Sequence, residues 1–471
     1  MSDKPVRTRF APSPTGALHV GGVRTALFAW LLARQSNGQF ILRIEDTDRS
    51  RHVESAEQQI IDSLDKLGIK PDEGPIRQSD RLEIYKQWGQ KLLDSGRAYA
   101  DDTSEDQLNS LRDAAKVAKK PFLYRDHRPE NPVEWKEGIP LRFKSDPKAY
   151  PWHDEVMGDL HAGAEAVDDF ILIKSDGFPT YNFAHIVDDA EMGITHVLRG
   201  QEFLASIPNY LNLYEALGVK APLMGTMPHV LGPDGKKKLS KRDGAKDVLE
   251  YIREGYLPEA LVSFIATLGW NDGTEQEIYT VDELIEKFSL ARVQKSGAKF
   301  DEQRLLWING HFIREKSLDE LYKLSTDFWP ESAGGHDEDY KKAVLGLVQE
   351  RLKHLSELPQ LTNFFFEDLS ENMDLINGNK QLQKIDRQQM SEMLLKSRES
   401  LSESDFSQAD LTEQLNQLLE ATGQKPGVLF SLIRIATTWA PASPGLAETL
   451  SLLGKDKSLG RLDKAIDLLN A

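Results

Sequence analysis

There is no cysteine anywhere in the 471 residues, which excludes disulfides and any thiolate metal site. Long apolar runs are missing too. None approaches the length of a membrane span, and Met1 to Arg9 hold no apolar stretch of the secretory kind. Positive charge is scarce: 58 Lys and Arg stand against 75 Asp and Glu, a net charge of −17. An acidic whole argues against nucleic acid held by overall charge, because phosphate binding relies on Lys and Arg. A local face can still be basic, and net charge speaks mainly to solubility. No internal repeat or low-complexity segment is evident. What remains is 39% hydrophobic and 28% charged, an ordinary globular composition for which a cytoplasmic location is expected. The chain is too long for one core, and its length suggests about three domains.

The stretch around which the rest is arranged runs from Arg7 to Gly22: Arg-Thr-Arg-Phe-Ala-Pro-Ser-Pro-Thr-Gly-Ala-Leu-His-Val-Gly-Gly. Pro12 and Pro14 remove backbone donors and stop a strand. After Gly16, Gly21 and Gly22, the segment Val23 to Arg34 reads as an apolar-rich helix ending before Gly38. Strand, glycine turn and helix in that order aim the first N–H groups of a helix beyond the sheet edge, where a phosphate is stabilised. His19 can donate an imidazole N–H to a phosphoryl oxygen. Gly21 and Gly22, without side chains, let a flat group such as a purine approach the backbone.

A second stretch, Gly232-Pro-Asp-Gly-Lys-Lys-Lys-Leu-Ser-Lys-Arg-Asp-Gly244, gathers Lys236, Lys237, Lys238, Lys241 and Arg242 between glycines. It suits a loop whose ammonium groups neutralise charge on a triphosphate. Together the two stretches resemble the paired signatures of class I aminoacyl-tRNA synthetases. His19-Val20-Gly21-Gly22 is similar to their His-Ile-Gly-His motif, and Lys238-Leu239-Ser240-Lys241-Arg242 to their Lys-Met-Ser-Lys-Ser loop. Further segments narrow the resemblance to the bacterial glutamyl-tRNA synthetases: Arg9 to Gly16, Arg43 to Asp48, Ser175 to Tyr181, and Leu198 to Glu202. It continues to Arg434 and Ser443-Pro444.

The resemblance implies a Rossmann-like parallel-sheet catalytic domain interrupted by an α+β insertion and followed by an all-α half. Residues 1–96 and 174–225 would form the catalytic domain and 97–173 the insertion that holds the tRNA acceptor end. The mobile Lys-rich loop and stem-contact domain would occupy 226–310, and the helical anticodon-binding domain 311–471. The residues are consistent with that order. Phe40 to Ile44 is a buried-strand candidate ending at Glu45, and acids at the carboxyl end of a strand sit where doubly wound sheets bind ligands. Glu54 to Leu67 and Asp80 to Ser95 read as helices stopped by Gly68 and Gly96. Capping boxes are predicted at Ser104 and Thr280, and Ser317 to Glu320 has helical spacing. A Pro-rich region from Pro121 to Pro151 carries short strand-like pieces, Leu141 to Phe143 among them. Beyond Gly310 the spacing is helical throughout, with Lys341 to Leu355 read as one run.

By the same resemblance, glutamate and ATP give glutamyl-adenylate, and the glutamyl group passes to the 3'-terminal adenosine of tRNA(Glu). His19, Gly21, Gly22, Lys238, Ser240 and Lys241 would bind ATP, with Mg²⁺ bridging the pyrophosphate. Catalysis would rest on His19, Lys238 and Lys241, and glutamate would be held by Arg9, Ser13, Glu45, Tyr181 and Arg199. An Arg can grip a substrate carboxylate as a fork, and burying that carboxylate unpaired would be costly. Many relatives carry a Cys-rich zinc site early in the insertion; here Ala100 and Asp102 occupy those places, so no zinc is expected. A monomer is expected. Arg351 is the candidate for reading the third anticodon base, since an Arg can stack on a splayed base while bonding its edge. Two alternatives stay open: an enzyme that also charges tRNA(Gln), and an inactive nucleotide- or RNA-binding regulator. His185 is left without a role.

Overall fold

The computed structural model describes residues 5–51, 53–239 and 246–471. The chain divides into two compact units, one of Met1–Ile252 with Pro258–Leu305, the other of Arg253–Leu257 with Leu306–Ala471. The division falls between Leu305 and Leu306, slightly ahead of the boundary expected near Gly310.

The first unit opens with β1 (Arg7–Phe10), α1 (Val20–Gln35), β2 (Gln39–Ile44), α2 (Ala56–Lys66), β3 (Glu73–Arg77) and α3 (Leu82–Asp94). β1, β2 and β3 pair in parallel, the arrangement that helical crossovers impose. α1 buries Val23, Leu27, Phe28 and Leu31, and Phe28 packs on Phe288 with centroids 5.0 Å apart. The helix expected from Asp80 instead begins as a 3₁₀ turn, Gln78–Arg81. That turn supplies Gln78 and Arg81 to Asp188.

The insertion follows: β4 (Ala98–Ala100), α4 (Glu105–Val117), β5 (Leu141–Phe143), β6 (Tyr150–Asp154), β7 (Gly158–Ala162) and β8 (Ile171–Ile173). β4, β5 and β8 form an antiparallel sheet, and the predicted capping box at Ser104 opens α4. The chain then returns through α5 (Tyr181–Glu191), β9 (His196–Gly200), α6 (Ile207–Leu217) and β10 (Leu223–Met227). β9 and β10 are parallel. β9 is tied to β1 where Thr195 N–H donates to the Arg7 carbonyl at 2.9 Å.

The second unit is helical, with no strand among its described residues. Helices Arg387–Ser402, Gln408–Thr422, Pro426–Thr438 and Lys455–Asn470 close over Leu394, Leu401, Leu411, Leu432 and Leu462. The run expected from Lys341 to Leu355 is broken. Its α-helix is Glu338–Val348, followed by 3₁₀ turns at Gln349–Arg351 and Leu355–Glu357. Leu352 between them is extended and fully buried, so packing of that side chain overrides helical spacing.

Candidate active site and arginine cluster

His19 is the N-cap of α1, and its Nδ1 accepts from the N–H groups of Gly21 and Gly22 at 3.1 and 3.3 Å. The donors expected to face a phosphate are therefore engaged by the cap. The physical consequence is a fixed tautomer: with Nδ1 accepting, the ring proton sits on Nε2. A Cβ at Gly22 would come within 2.8 Å of Leu18 Cδ1, so a side chain there would have to displace the end of Leu18.

A cavity of about 160 Å³ lies over this cap, lined by His19, Gly21, Gly22, Arg24, Glu202 and Lys238, among others. Lys238 stands on a backbone return in which Leu239 N–H donates to Val230 and Gly232 N–H to Lys237. Its Nζ lies 3.4 Å from Glu202 Oε1. Ser240 and Lys241 fall outside the described residues. Arg24 was not anticipated. Its guanidinium is 3% exposed and donates to the carbonyls of Leu268 and Pro228, and burial lowers its pKa to about 10.

Beyond this cavity the unit has a buried polar centre. Arg43 on β2 reaches Asp189 at 2.8 Å and Glu45 at 3.0 Å. Arg9 on β1 reaches Asp189 at 3.1 Å and donates to the Leu198 carbonyl. Asp188 receives Arg81, Gln78 and the Tyr85 hydroxyl, each at 2.8 Å. Burial favours neutral Asp189, but Arg9 and Arg43 outweigh it and hold the carboxyl well below its usual range. Glu45 goes the other way: burial raises its pKa despite Arg43 and Arg9. Arg9 was expected to face substrate; here its guanidinium is committed to Asp189. Ser13 is exposed, on the turn whose Pro12 carbonyl accepts from Glu45 N–H at 3.0 Å.

Arg199, at the end of β9, differs from Arg9 and Arg43. It is 8% exposed yet has no carboxylate within ion-pair distance among the described residues, and its Nε has no hydrogen-bond partner there. It lies over the rings of Tyr210 and Phe203, 5.1 and 5.5 Å from their centroids. Tyr181 stacks on Phe203 at 5.2 Å, so Tyr181 and Arg199 share one aromatic wall. The residue after Arg199, Gly200, lines the cavity with His19. Residue reading missed Arg43, Asp188 and Asp189. An Arg inside the apolar run Phe40 to Ile44 and adjacent acids inside an apolar helix were the available signals, since buried charges require partners.

In the second unit, Arg351 Nη1 donates to the Ser443 carbonyl at 2.6 Å and Arg434 Nε to Ser443 Oγ at 3.0 Å. Neither pairs with a carboxylate among the described residues, and burial with the nearby Arg351 charge lowers the Arg434 pKa. Arg434 lines a cavity of about 340 Å³ with Asp374, Asn379 and Pro441.

Among the described residues no three His, Asp or Glu side chains converge as a metal site, and no helix is long and apolar enough to cross a membrane. Residues 5–307 match the family model described as tRNA synthetases class I (E and Q), catalytic domain. Residues 320–466 match an anticodon binding domain. The chain is 40% identical to glutamate–tRNA ligase 1 of Caldanaerobacter subterraneus, with 98% of each chain covered. It is also 40% identical to the glutamate–tRNA ligase of Legionella pneumophila, over 99% of this chain and 98% of that one. Among solved structures, a glutamate tRNA ligase from Elizabethkingia meningosepticum in complex with its amino acid superposes with a TM-score of 0.88 at 31% identity, covering 99% of this chain and 100% of the other. A catalytic-domain model that matches well over half of the chain, and relatives this similar along nearly its full length, show that the chain belongs to the class I glutamyl-tRNA synthetase family.

Proposed function

We propose that this chain is a cytoplasmic glutamate–tRNA ligase that activates glutamate with ATP and esterifies the 3'-terminal adenosine of tRNA(Glu). The observation that carries the substrate assignment is Arg199, a buried guanidinium with no carboxylate partner among the described residues, beside Tyr181. Leaving such a charge unpaired is costly, and the side-chain carboxylate of glutamate supplies the missing partner. Glu45, close enough for Arg9 and Arg43 to act on its charge, is assigned to the substrate amino group. Arg9 acts behind the pocket by holding Asp189. Ser13, on the turn held to Glu45, is assigned to the same pocket.

The chemistry needs no enzyme nucleophile. The α-carboxylate oxygen of glutamate attacks the α-phosphorus of ATP, and the bond to the bridging oxygen breaks to release pyrophosphate. The ribose hydroxyl then attacks the mixed anhydride, and AMP leaves. Positioning and charge stabilisation supply the rate. His19 donates from Nε2 to a phosphoryl oxygen, and Gly21 and Gly22 admit the flat purine. Lys238 exchanges Glu202 for the leaving pyrophosphate, joined by Lys241 and Ser240. Glu202 is the acid lining this cavity and fits a Mg²⁺ ion that arrives on the triphosphate, where it would neutralise phosphate charge.

In the second unit, Arg351 and Arg434 flank Ser443 with no carboxylate partner among the described residues, which supports anticodon reading by stacking and edge contacts. Arg351 is the residue assigned to the third anticodon base. Aminoacylation of purified tRNA(Glu) and tRNA(Gln) with labelled glutamate tests the whole reading. Charging of tRNA(Glu) is expected, and no charging of either tRNA in the presence of ATP and Mg²⁺ overturns it.

A further inference from the structure

The polar centre of the first unit holds one group that the reaction leaves unused. His185 on α5 is 1% exposed, and its Nε2 lies 3.2 Å from Arg199 Nη1. A guanidinium can only donate, so Nε2 accepts and the ring proton resides on Nδ1. The imidazole is itself clamped. Tyr210 meets it edge-on at 4.6 Å and 71°, and Tyr181 lies against it at 4.9 Å. The charged groups around it are Arg199, Arg43 and Arg9, with Asp189 opposing them. Burial and the three cations all disfavour an imidazolium, which would also push Nη1 away.

Tyr210 and Phe203 lie with their ring centroids 5.1 and 5.5 Å from the Arg199 guanidinium carbon, and ring contacts alone set no direction for its N–H groups. The bond to His185 sets one at Nη1. We infer that His185 is a positioning residue whose neutral imidazole, accepting from Arg199 Nη1, fixes the rotation of the guanidinium so that its remaining N–H edge fits a carboxylate and rejects a carboxamide. This role of His185 rests on Arg199 binding the side-chain carboxylate of the amino acid, as proposed above. A carboxylate offers two acceptors to a fixed fork. An amide offers one acceptor and turns an NH₂ group against a second donor. Selection against the amide therefore depends on the fork being held, which an unoriented guanidinium cannot enforce.

The test uses the full chain with cognate tRNA and compares wild type, His185→Leu, His185→Gln and Arg199→Ala. The readouts are kcat and KM for glutamate and the ratio of kcat/KM for glutamate over glutamine as a competing amino acid. His185→Leu is expected to raise the glutamate KM and lower that ratio, each roughly tenfold, with kcat changed little. His185→Gln, whose side-chain oxygen can accept from Nη1, is expected to restore most of both. A His185→Leu protein with unchanged ratio, while Arg199→Ala raises the glutamate KM, overturns the inference and leaves the Arg199 reading intact. Unchanged glutamate KM in Arg199→Ala sinks the Arg199 reading instead. Nitrogen-15 spectra of histidine-labelled wild type give a check that needs no variant. A proton on Nδ1 of His185 at neutral pH is expected, and a proton on Nε2 overturns the inference.

Discussion

Helix Tyr181–Glu191 in the first unit buries His185, Asp188 and Asp189 among Phe183, Ala184, Ile186 and Val187. Helix Gln408–Thr422 in the second unit buries Leu411, Leu415 and Leu418 and no charged group. The contrast extends to the surroundings. Around the first helix stand Arg9, Arg43, Arg81 and Arg199, whereas the second packs into a cluster of Leu, Ile, Met and Phe. Each buried ion loses several kcal/mol of hydration that its partners must offset. A fold accepts such a cost where it must hold a polar ligand in a dry place. The helical unit has one comparable device, Arg461, which is 4% exposed. It donates to the carbonyls of Phe364, Glu367 and Thr437 and pairs with Asp368, so its charge joins helices and serves no pocket. Of the guanidiniums available for a ligand there, beside Ser443, Arg351 is exposed and Arg434 only half-buried.

The comparison breaks first at Asp189. Asp189→Ala leaves Arg9 and Arg43 without their main partner, and we expect a loss of about 3–5 kcal/mol. Hydrogen exchange should place that loss in peptides of the first unit; equal deprotection of both units would show that the polar centre is not a local device. Leu401→Ala, at a position fully buried in the helical unit, should cost about 2–4 kcal/mol through lost burial and a cavity. It should spare glutamate activation, and a parallel collapse of activation would contradict independent interiors.

Arg199→Ala is expected to raise the glutamate KM by roughly a hundredfold, the loss of a charge-assisted fork. Arg351→Gln should leave glutamate KM unchanged and alter the preference between tRNA(Glu) and tRNA(Gln) by about tenfold. An unmoved preference in a two-tRNA charging assay removes Arg351 as the discriminator.

The smallest effect is a pH slope. Burial, with the cations Arg199, Arg43 and Arg9, outweighs Asp189 and keeps the His185 pKa well below its ordinary value. In the unfolded chain the group titrates near 6.5, at about that value. Below that pH the unfolded state takes up a proton that the folded state refuses, so stability falls on acidification by about 1.4 kcal/mol per pH unit from this residue. His185→Gln should flatten the wild-type slope between about pH 6.5 and 5 in denaturant titrations. Parallel curves for the two proteins would mean that His185 keeps its proton on folding.

Local sequence determined much of the architecture. Ser104, Thr280 and Ser317 each open a helix with a reciprocal capping box, because a hydroxyl and a Glu or Gln three residues on satisfy orphan donors within one turn. The apolar run at β2, the proline stop after β1 and the helical spacing of the second unit were equally legible, since they depend on neighbours a few residues away. The motif stretches at His19 and Lys238 pointed to a phosphate site for the same reason, although the cap itself takes the Gly21 and Gly22 donors. Tertiary structure alone decided which charge meets which. Arg9 is separated from Asp189 by 180 positions, and no local pattern distinguishes it from Arg199, the first paired with Asp189 and the second without a carboxylate partner among the described residues. The same holds for Leu352, whose burial ends a helix that spacing would continue, and for His185 on α5, whose tautomer follows from a guanidinium on β9. Propensity and capping are settled within a turn of chain, whereas the partner of a buried charge is chosen by packing across the whole unit.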